Sequence, residues 1–368
     1  MMKIPLVDLR AQYESIRQDL DTAYAQVMQK AVFIGGSAVA EFEKAFAAAN
    51  MSSHCIGLAN GTDALLVALN ALGVGEGDEV ITTSLSWIST ADTIVRSGAK
   101  PVFADIESEG FNLDVSSLEA RISSRTKAVV VVHLYGHPAD MDPIVRLCKK
   151  YNLRLIEDCA QAHFARYKGA TVGTMGDVAT FSFYPTKNLG AYGDAGAIIT
   201  NNDEIAAKCR LFTSQGAISK HQHISIGINS RLDTMQAAVL LAKLPYVEEW
   251  NRERRRVADT YNRLLSTVGE VITPLQKAYA ESVYHLYVID CPRRDELSQF
   301  LAKKGITTAI HYPTPLPLQA VFQPLHYSES SIPRAATVSK RILSLPMYPE
   351  LSDEMCEYIV MNIRAFYH

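Results

Sequence analysis

This sequence has no long apolar run, no closely paired cysteines and no excess charge of either sign. Its longest apolar stretches, such as Ala128 to Leu134, are far too short to span a bilayer. The six cysteines, Cys55, Cys148, Cys159, Cys209, Cys291 and Cys356, stand singly, and none pair at CxxC spacing. That pattern speaks against a zinc site or a disulfide framework and for small buried hydrophobes. Basic residues number 36 and acidic residues 39, for a net charge of -3. The balance leaves no broad basic face for nucleic acid or a membrane surface. The opening segment, Met1 to Ile16, contains no apolar core of a secretion signal. A soluble cytoplasmic protein is the expectation.

What the chain does have is 368 residues, 48% of them hydrophobic, enough for a large core and more than one domain. Seven short apolar runs follow one another: Cys55–Ala59, Glu79–Thr83, Pro101–Asp105, Ala128–His133, Leu153–Asp158, Val178–Phe183 and Gly196–Thr200. Most are rich in β-branched residues, as strands buried on both faces are. Between them lie the amphipathic stretches Asp63–Leu72, Thr90–Ser97, Asp114–Ile122, Asp142–Tyr151 and Asp203–Ser214. Alternating strand and helix predicts an α/β fold with a mostly parallel seven-stranded sheet. After about residue 240 the pattern changes. Leu232–Ser266 reads as one long helix, then come a strand Val283–Asp290, a helix Arg294–Lys304, a Pro-rich loop Tyr312–Pro324 and a last helix Ser352–Tyr367. The predicted division is a large domain over 1–245 and a smaller α+β domain over 246–368. Roughly the first 30 residues read as helix that docks on one of the two parts.

Three segments fall at the carboxyl ends of predicted strands, where ligands of open parallel sheets bind. Gly61-Thr62-Asp63 combines a small-residue turn with a helix start, which suits a phosphate, although an ordinary helix cap also accounts for it. Asp158 ends an apolar run and is placed either to hold a protonated pyridine nitrogen or to cap the next segment. Lys187 follows the run Val178–Phe183 in a loop with Pro185 and Gly190, where its amine could form a Schiff base. Surface lysines are far commoner than reactive ones, so no one of these signals stands alone. Together they put a phosphate cradle, a pyridinium partner and an amine at strand ends in chain order. That set fits pyridoxal 5′-phosphate (PLP). The glycines of Gly190–Gly196 match neither the dinucleotide fingerprint nor a P-loop. His221 and His223 lack a nearby carboxylate, so no metal is expected.

These residues, with the segments 58–69, 77–106, 129–142, 155–169, 176–200, 228–240 and 307–319, resemble the DegT/DnrJ/EryC1 family of sugar aminotransferases, fold-type I PLP enzymes. The resemblance implies that Lys187 carries PLP covalently and Asp158 pairs with its ring nitrogen. It implies Gln161 on the phenolic oxygen, Gly61, Thr62 and Ser182 on the phosphate, and Trp87 stacked on the ring. Without the family, Trp87 reads as a core residue. Asn229 is similar to a residue that reaches the phosphate from a neighbouring subunit, which implies a homodimer with shared active sites. His311 and Tyr312 resemble the segment that faces the substrate, and Tyr184, Lys220 and Arg231 are candidate contacts for a nucleotide diphosphate. The chain departs from the family's usual text at His137, Phe164, Trp87 and Asp194.

The implied activity is transfer of an amino group from L-glutamate to a nucleotide-linked keto sugar, with C3 favoured slightly over C4. The nucleotide is expected to be dTDP or UDP. A cyclitol aminotransferase, a PLP-binding sugar dehydratase and a non-catalytic sensor are the alternatives. The dehydratases of the family typically have His where this chain has Lys187.

Overall fold

The computed structural model describes residues 2–368. Each of the seven apolar runs forms a strand of one sheet: β1 His54–Leu58, β2 Glu79–Thr83, β3 Lys100–Ala104, β4 Thr126–Val132, β5 Arg154–Asp158, β6 Val178–Ser182 and β7 Gly196–Thr200. Their order is β1-β7-β6-β5-β4-β2-β3. β7 runs antiparallel to both neighbours, and every other pairing is parallel. Along β4 the side chains alternate between two apolar clusters. Val129 and Val131 enter one, Ala128 and Val130 the other. Both faces are therefore buried, which is why these strands read as unbroken apolar runs.

One cluster packs the helix Gly61–Ala71 through Leu65, Val67, Ala68 and Leu69. The other packs the helix Gly36–Ala49, where the Phe46 ring lies 5.0 Å from Phe181 and 5.2 Å from Phe183. A further cluster joins the strands Tyr287–Asp290 and Ile342–Leu345 to the helices Arg294–Lys303 and Asp353–Tyr367, through Tyr287, Leu301, Leu345 and Ile359. The helix Val247–Leu265 serves both regions. Val247 and Trp250 belong to the cluster around Phe46, and Val257, Tyr261 and Leu265 to the cluster around Tyr287.

Four expectations need correction. The helix read over Leu232–Ser266 is two helices, Thr234–Lys243 and Val247–Leu265, separated by a 3-10 turn at Leu244–Tyr246. Pro245 sits in that turn, where its missing N–H and its ring break the α-helical ladder. The strand read over Val283–Asp290 begins only at Tyr287, because Val283 donates its N–H to the Gly136 carbonyl at 2.9 Å instead. The helix expected near Asp63 begins at Gly61. Asn60 is its cap, accepting from the Asp63 N–H at 2.8 Å. The N-terminal segment docks on both regions rather than one. Ile16 and Leu20 pack in the cluster around Phe46, while Ile4 packs beside Tyr287 and donates its N–H to Gly305 at 2.8 Å.

Candidate active site

The carboxyl ends of β1, β2, β5 and β6 open into a cavity of about 470 Å³. Of the residues singled out in the sequence, Gly61, Thr62, Trp87, Asp158, Gln161, Ser182, Tyr184, Lys187, His311 and Tyr312 line it. Asn229, Lys220 and Arg231 do not line it within this chain, and all three are exposed. Ser86, Ser89, Thr90, Asp194 and His285 also line the cavity. Sequence reasoning gave none of these a role. Ser86, Ser89 and Thr90 lie in the stretch after β2 that carried part of the family resemblance, which was the available signal.

One wall is a cradle. Gly61 opens the helix Gly61–Ala71, whose first N–H groups carry the positive end of the helix dipole. A Cβ on Gly61 would stand 2.7 Å from the Ser182 Cβ, so only glycine lets the backbone pass this close. The Thr62 and Ser89 hydroxyls are linked at 2.7 Å. The Ser182 hydroxyl accepts weakly from the Tyr184 N–H at 3.4 Å. Hydroxyls and helix N–H groups around a glycine suit a phosphate.

The floor holds Asp158 and Lys187. Asp158 is 5% exposed and accepts from the Thr90 hydroxyl at 3.2 Å and the Ala160 N–H at 3.1 Å. Burial pushes its carboxyl above the usual range, although Ala160, Lys187 and Thr90 pull the other way. Lys187 lines the cavity and is half-buried, and burial lowers its amine to about 8 while Asp158 opposes the shift. On the opposite side of β5, Glu157 is fully buried. Burial alone would raise it, but His133 and the N–H groups of Gly173 and Gly176 hold it below the usual carboxylate range. His133, Glu157 and Cys159 bring potential metal-ligand atoms within 4.8 Å of one another. The His133 nitrogens are nonetheless occupied, one by Glu157 at 3.1 Å and one by the Ala139 N–H at 3.1 Å.

The third wall fixes the Gln161 amide. Its oxygen accepts from the Tyr135 N–H at 2.7 Å, so its NH2 group turns inward and donates to the Tyr312 hydroxyl at 2.9 Å. The Tyr312 ring lies 6.0 Å from Trp87, which is 59% exposed at the cavity mouth. Trp87 is therefore no core tryptophan. His311 is lowered to about 4 by burial and by Lys187, and its Nδ1 pairs with the Ser344 hydroxyl at 2.8 Å.

The donor set fits a phosphorylated pyridine aldehyde: a glycine cradle with hydroxyls, a buried carboxylate and a lysine with a depressed pKa. A sequence profile of the DegT/DnrJ/EryC1/StrS aminotransferase family matches residues 14–364. This chain belongs to that family. It is 48% identical to the "Pleiotropic regulatory protein" of Geobacillus stearothermophilus over 100% of this chain and 99% of that one. It is 41% identical to the UDP-N-acetyl-3-dehydro-alpha-D-glucosamine 3-aminotransferase of Acidithiobacillus ferrooxidans, covering 99% and 98% of the two chains. Among solved structures, Streptomyces venezuelae DesV in complex with a ketimine intermediate matches with a TM-score of 0.97 at 39% identity, covering 100% and 99%. The chain is an aminotransferase with the fold-type I architecture that the resemblance implied.

Proposed function

We propose that this aminotransferase moves the amino group of L-glutamate onto C3 of a keto sugar linked to UDP or dTDP. The observation that carries the reading is the meeting of Lys187, Asp158 and the Gly61–Ser182 cradle in one cavity. The 41% identical relative, named for amination at C3 of a UDP-linked keto sugar, supports the substrate class.

PLP, the cofactor of this family, supplies an electron sink when bound. Thr62, Ser182 and the first N–H groups of the helix Gly61–Ala71 hold its phosphate. Asp158 pairs with the protonated ring nitrogen and keeps it charged. The inward NH2 of Gln161 would donate to the phenolic oxygen, and Trp87 at the cavity mouth would cover the ring. Lys187 would hold the group covalently at rest and be freed when the donor's amine takes its place. Once freed, its Nζ would act in the neutral form, which burial makes more accessible by lowering the pKa to about 8, and would take the proton from the donor α-carbon. In the opposite half-reaction Nζ returns a proton to the sugar carbon that carried the ketone. Because the donor leaves its amino group behind and departs before the sugar enters, the kinetics are ping-pong.

We place the protein in the cytoplasm, as a homodimer with shared sites and with a large part over 1–245 and a small part over 246–368. No helix of the described residues is long and apolar enough to cross a membrane. The short hairpin Ala217–Ser219/Gln222–His223 and the loop after it expose Ile218, Ile224 and Ile226, the last at 91%. Val32, Phe33 and Ile34 are exposed as well. Exposed apolar side chains of this kind suit a second copy, which would bring Asn229, Lys220 and Arg231 to the neighbouring cavity. Tyr184, His311 and Tyr312 then face the sugar nucleotide.

The deciding experiment follows the visible absorption of the PLP-loaded protein while glutamate, then nucleotide keto sugars, are added. Loss of the band with glutamate and its return with a UDP- or dTDP-linked 3-keto sugar is the expected result. Lys187→Ala should abolish both. A band that ignores every amino donor would favour a regulatory role, the role named for the 48% identical relative.

A further inference from the structure

The turn Tyr135–Gly136 ties Gln161 to the two segments, around His285 and His311, that form one side of the cavity. Tyr135 has φ 59° and ψ 11°, a left-handed conformation that a bulky residue holds only where its surroundings fix it. Its N–H donates to the Gln161 side-chain oxygen at 2.7 Å. Its carbonyl accepts from the Leu286 N–H at 3.3 Å. Its hydroxyl donates to the His311 carbonyl. The next carbonyl, of Gly136, accepts from the Ser282 hydroxyl at 3.0 Å and the Val283 N–H at 2.9 Å. A Cβ on Gly136 would meet the Gln161 carbonyl and the His285 N–H, each at 2.9 Å. The turn sits at the end of β4 and is 5% exposed at Tyr135. Thus one turn holds the side chain that meets the cofactor and both segments that supply His285, Leu286, His311 and Tyr312 to the cavity.

We propose that Tyr135 is a positioning residue, whose hydroxyl and backbone set the His311–Tyr312 wall at a fixed distance from Gln161 and so shape the pocket for either substrate. This rests on the transaminase reading, since both substrates then occupy one cavity. The hydroxyl is the separable part. Tyr135→Phe keeps the backbone contacts and the edge-on packing against Phe111 at 5.1 Å, and removes only the tether to His311.

Two readouts test this. In PLP-loaded protein, the glutamate concentration for half-maximal conversion should rise roughly two- to tenfold in Tyr135→Phe, the loss of one buried hydrogen bond, with little change in limiting rate. The same substitution made on Tyr312→Phe should add much less, because Tyr135 acts through that wall. In protein without cofactor, iodide should quench Trp87 more readily in Tyr135→Phe, since Tyr312 lies beside Trp87 and the other tryptophan, Trp250, is buried. Unchanged half-saturation and unchanged quenching would overturn the proposal. So would a fall in limiting rate and melting temperature together, with full additivity, which marks a general structural role. A wild-type protein that ignores glutamate would sink the transaminase reading, and quenching would still decide whether Tyr135 holds the wall.

Discussion

The Asp158 carboxyl and the Lys187 amine sit in one cavity and oppose each other's shifts. Burial raises the acid and lowers the base, and each charge partly reverses the effect on the other. The amine must be neutral to attack an aldehyde. Its pKa is lowered to about 8, so capture of PLP by the protein should quicken as pH rises towards about 8 and then level off. Asp158→Asn removes the charge that holds the amine up, and should move that rise to lower pH. The same variant loses the proposed partner of the ring nitrogen, and its turnover should fall roughly 10²–10³-fold. Stopped-flow capture rates against pH, compared with steady-state turnover, check both. A profile that stays put in Asp158→Asn would refute the coupling.

Gly61→Ala tests the cradle. The added Cβ meets the Ser182 Cβ at 2.7 Å and its Cα at 3.1 Å, so β6 or the helix must shift. Overpacking of this kind costs about 1–3 kcal/mol, and here it falls on the proposed phosphate cradle. PLP affinity, measured by equilibrium dialysis, should drop about tenfold or more. Unchanged affinity would remove Gly61 from the phosphate site.

Much of this was legible beforehand because parallel strands buried on both faces must be apolar throughout, and turns at their ends must carry the polar groups. That rule placed Asp158 and Lys187 near strand ends, and the family resemblance was needed to single out Ser182. Pairings between distant segments were not legible. Nothing near Ile342–Leu345 marks it as the partner of Tyr287–Asp290, since register is set by tertiary contact. Thr90 read as an ordinary helix residue until β2 and β5 brought it to Asp158. Pro245 was visible in the text, and weighing its missing N–H would have broken the helix correctly.

Lys243 is fully buried, and among the described residues no carboxylate pairs with it. Its ammonium donates to Gln12 at 3.0 Å and to the Gly190 carbonyl at 2.8 Å, and it lies 3.9 Å from the Tyr192 ring centroid. Burial lowers it to about 7 from 10.5. Between those values the unfolded chain binds a proton that the folded chain does not, so this group makes stability rise with pH. The slope is at most about 1.4 kcal/mol per pH unit. The facing phenol of Tyr192 is raised, by burial first and then by Tyr24 and Tyr13, and does not titrate in this window. Lys243→Met should flatten the rise. Urea unfolding of both proteins at about pH 7 and about pH 9 reads the difference, and equal slopes would contradict it.

Phe46 meets Phe42, Phe164, Phe181 and Phe183 at centroid distances of 5.5, 5.9, 5.0 and 5.2 Å. Phe46→Ala leaves a cavity beneath the strand that leads to Lys187, and should cost about 3–5 kcal/mol. The urea midpoint should fall with its slope unchanged. A loss below about 1 kcal/mol would mean that the surrounding rings collapse into the space.

The helix Val247–Leu265 gives its first turn to one apolar cluster and its later turns to another. Neither can come apart without exposing a face of its neighbour. The two regions should therefore melt as a single cooperative unit, with calorimetric and van't Hoff enthalpies in agreement. Heat should then offer no half-folded species in which the sheet that leads to Lys187 survives and the His311 segment does not.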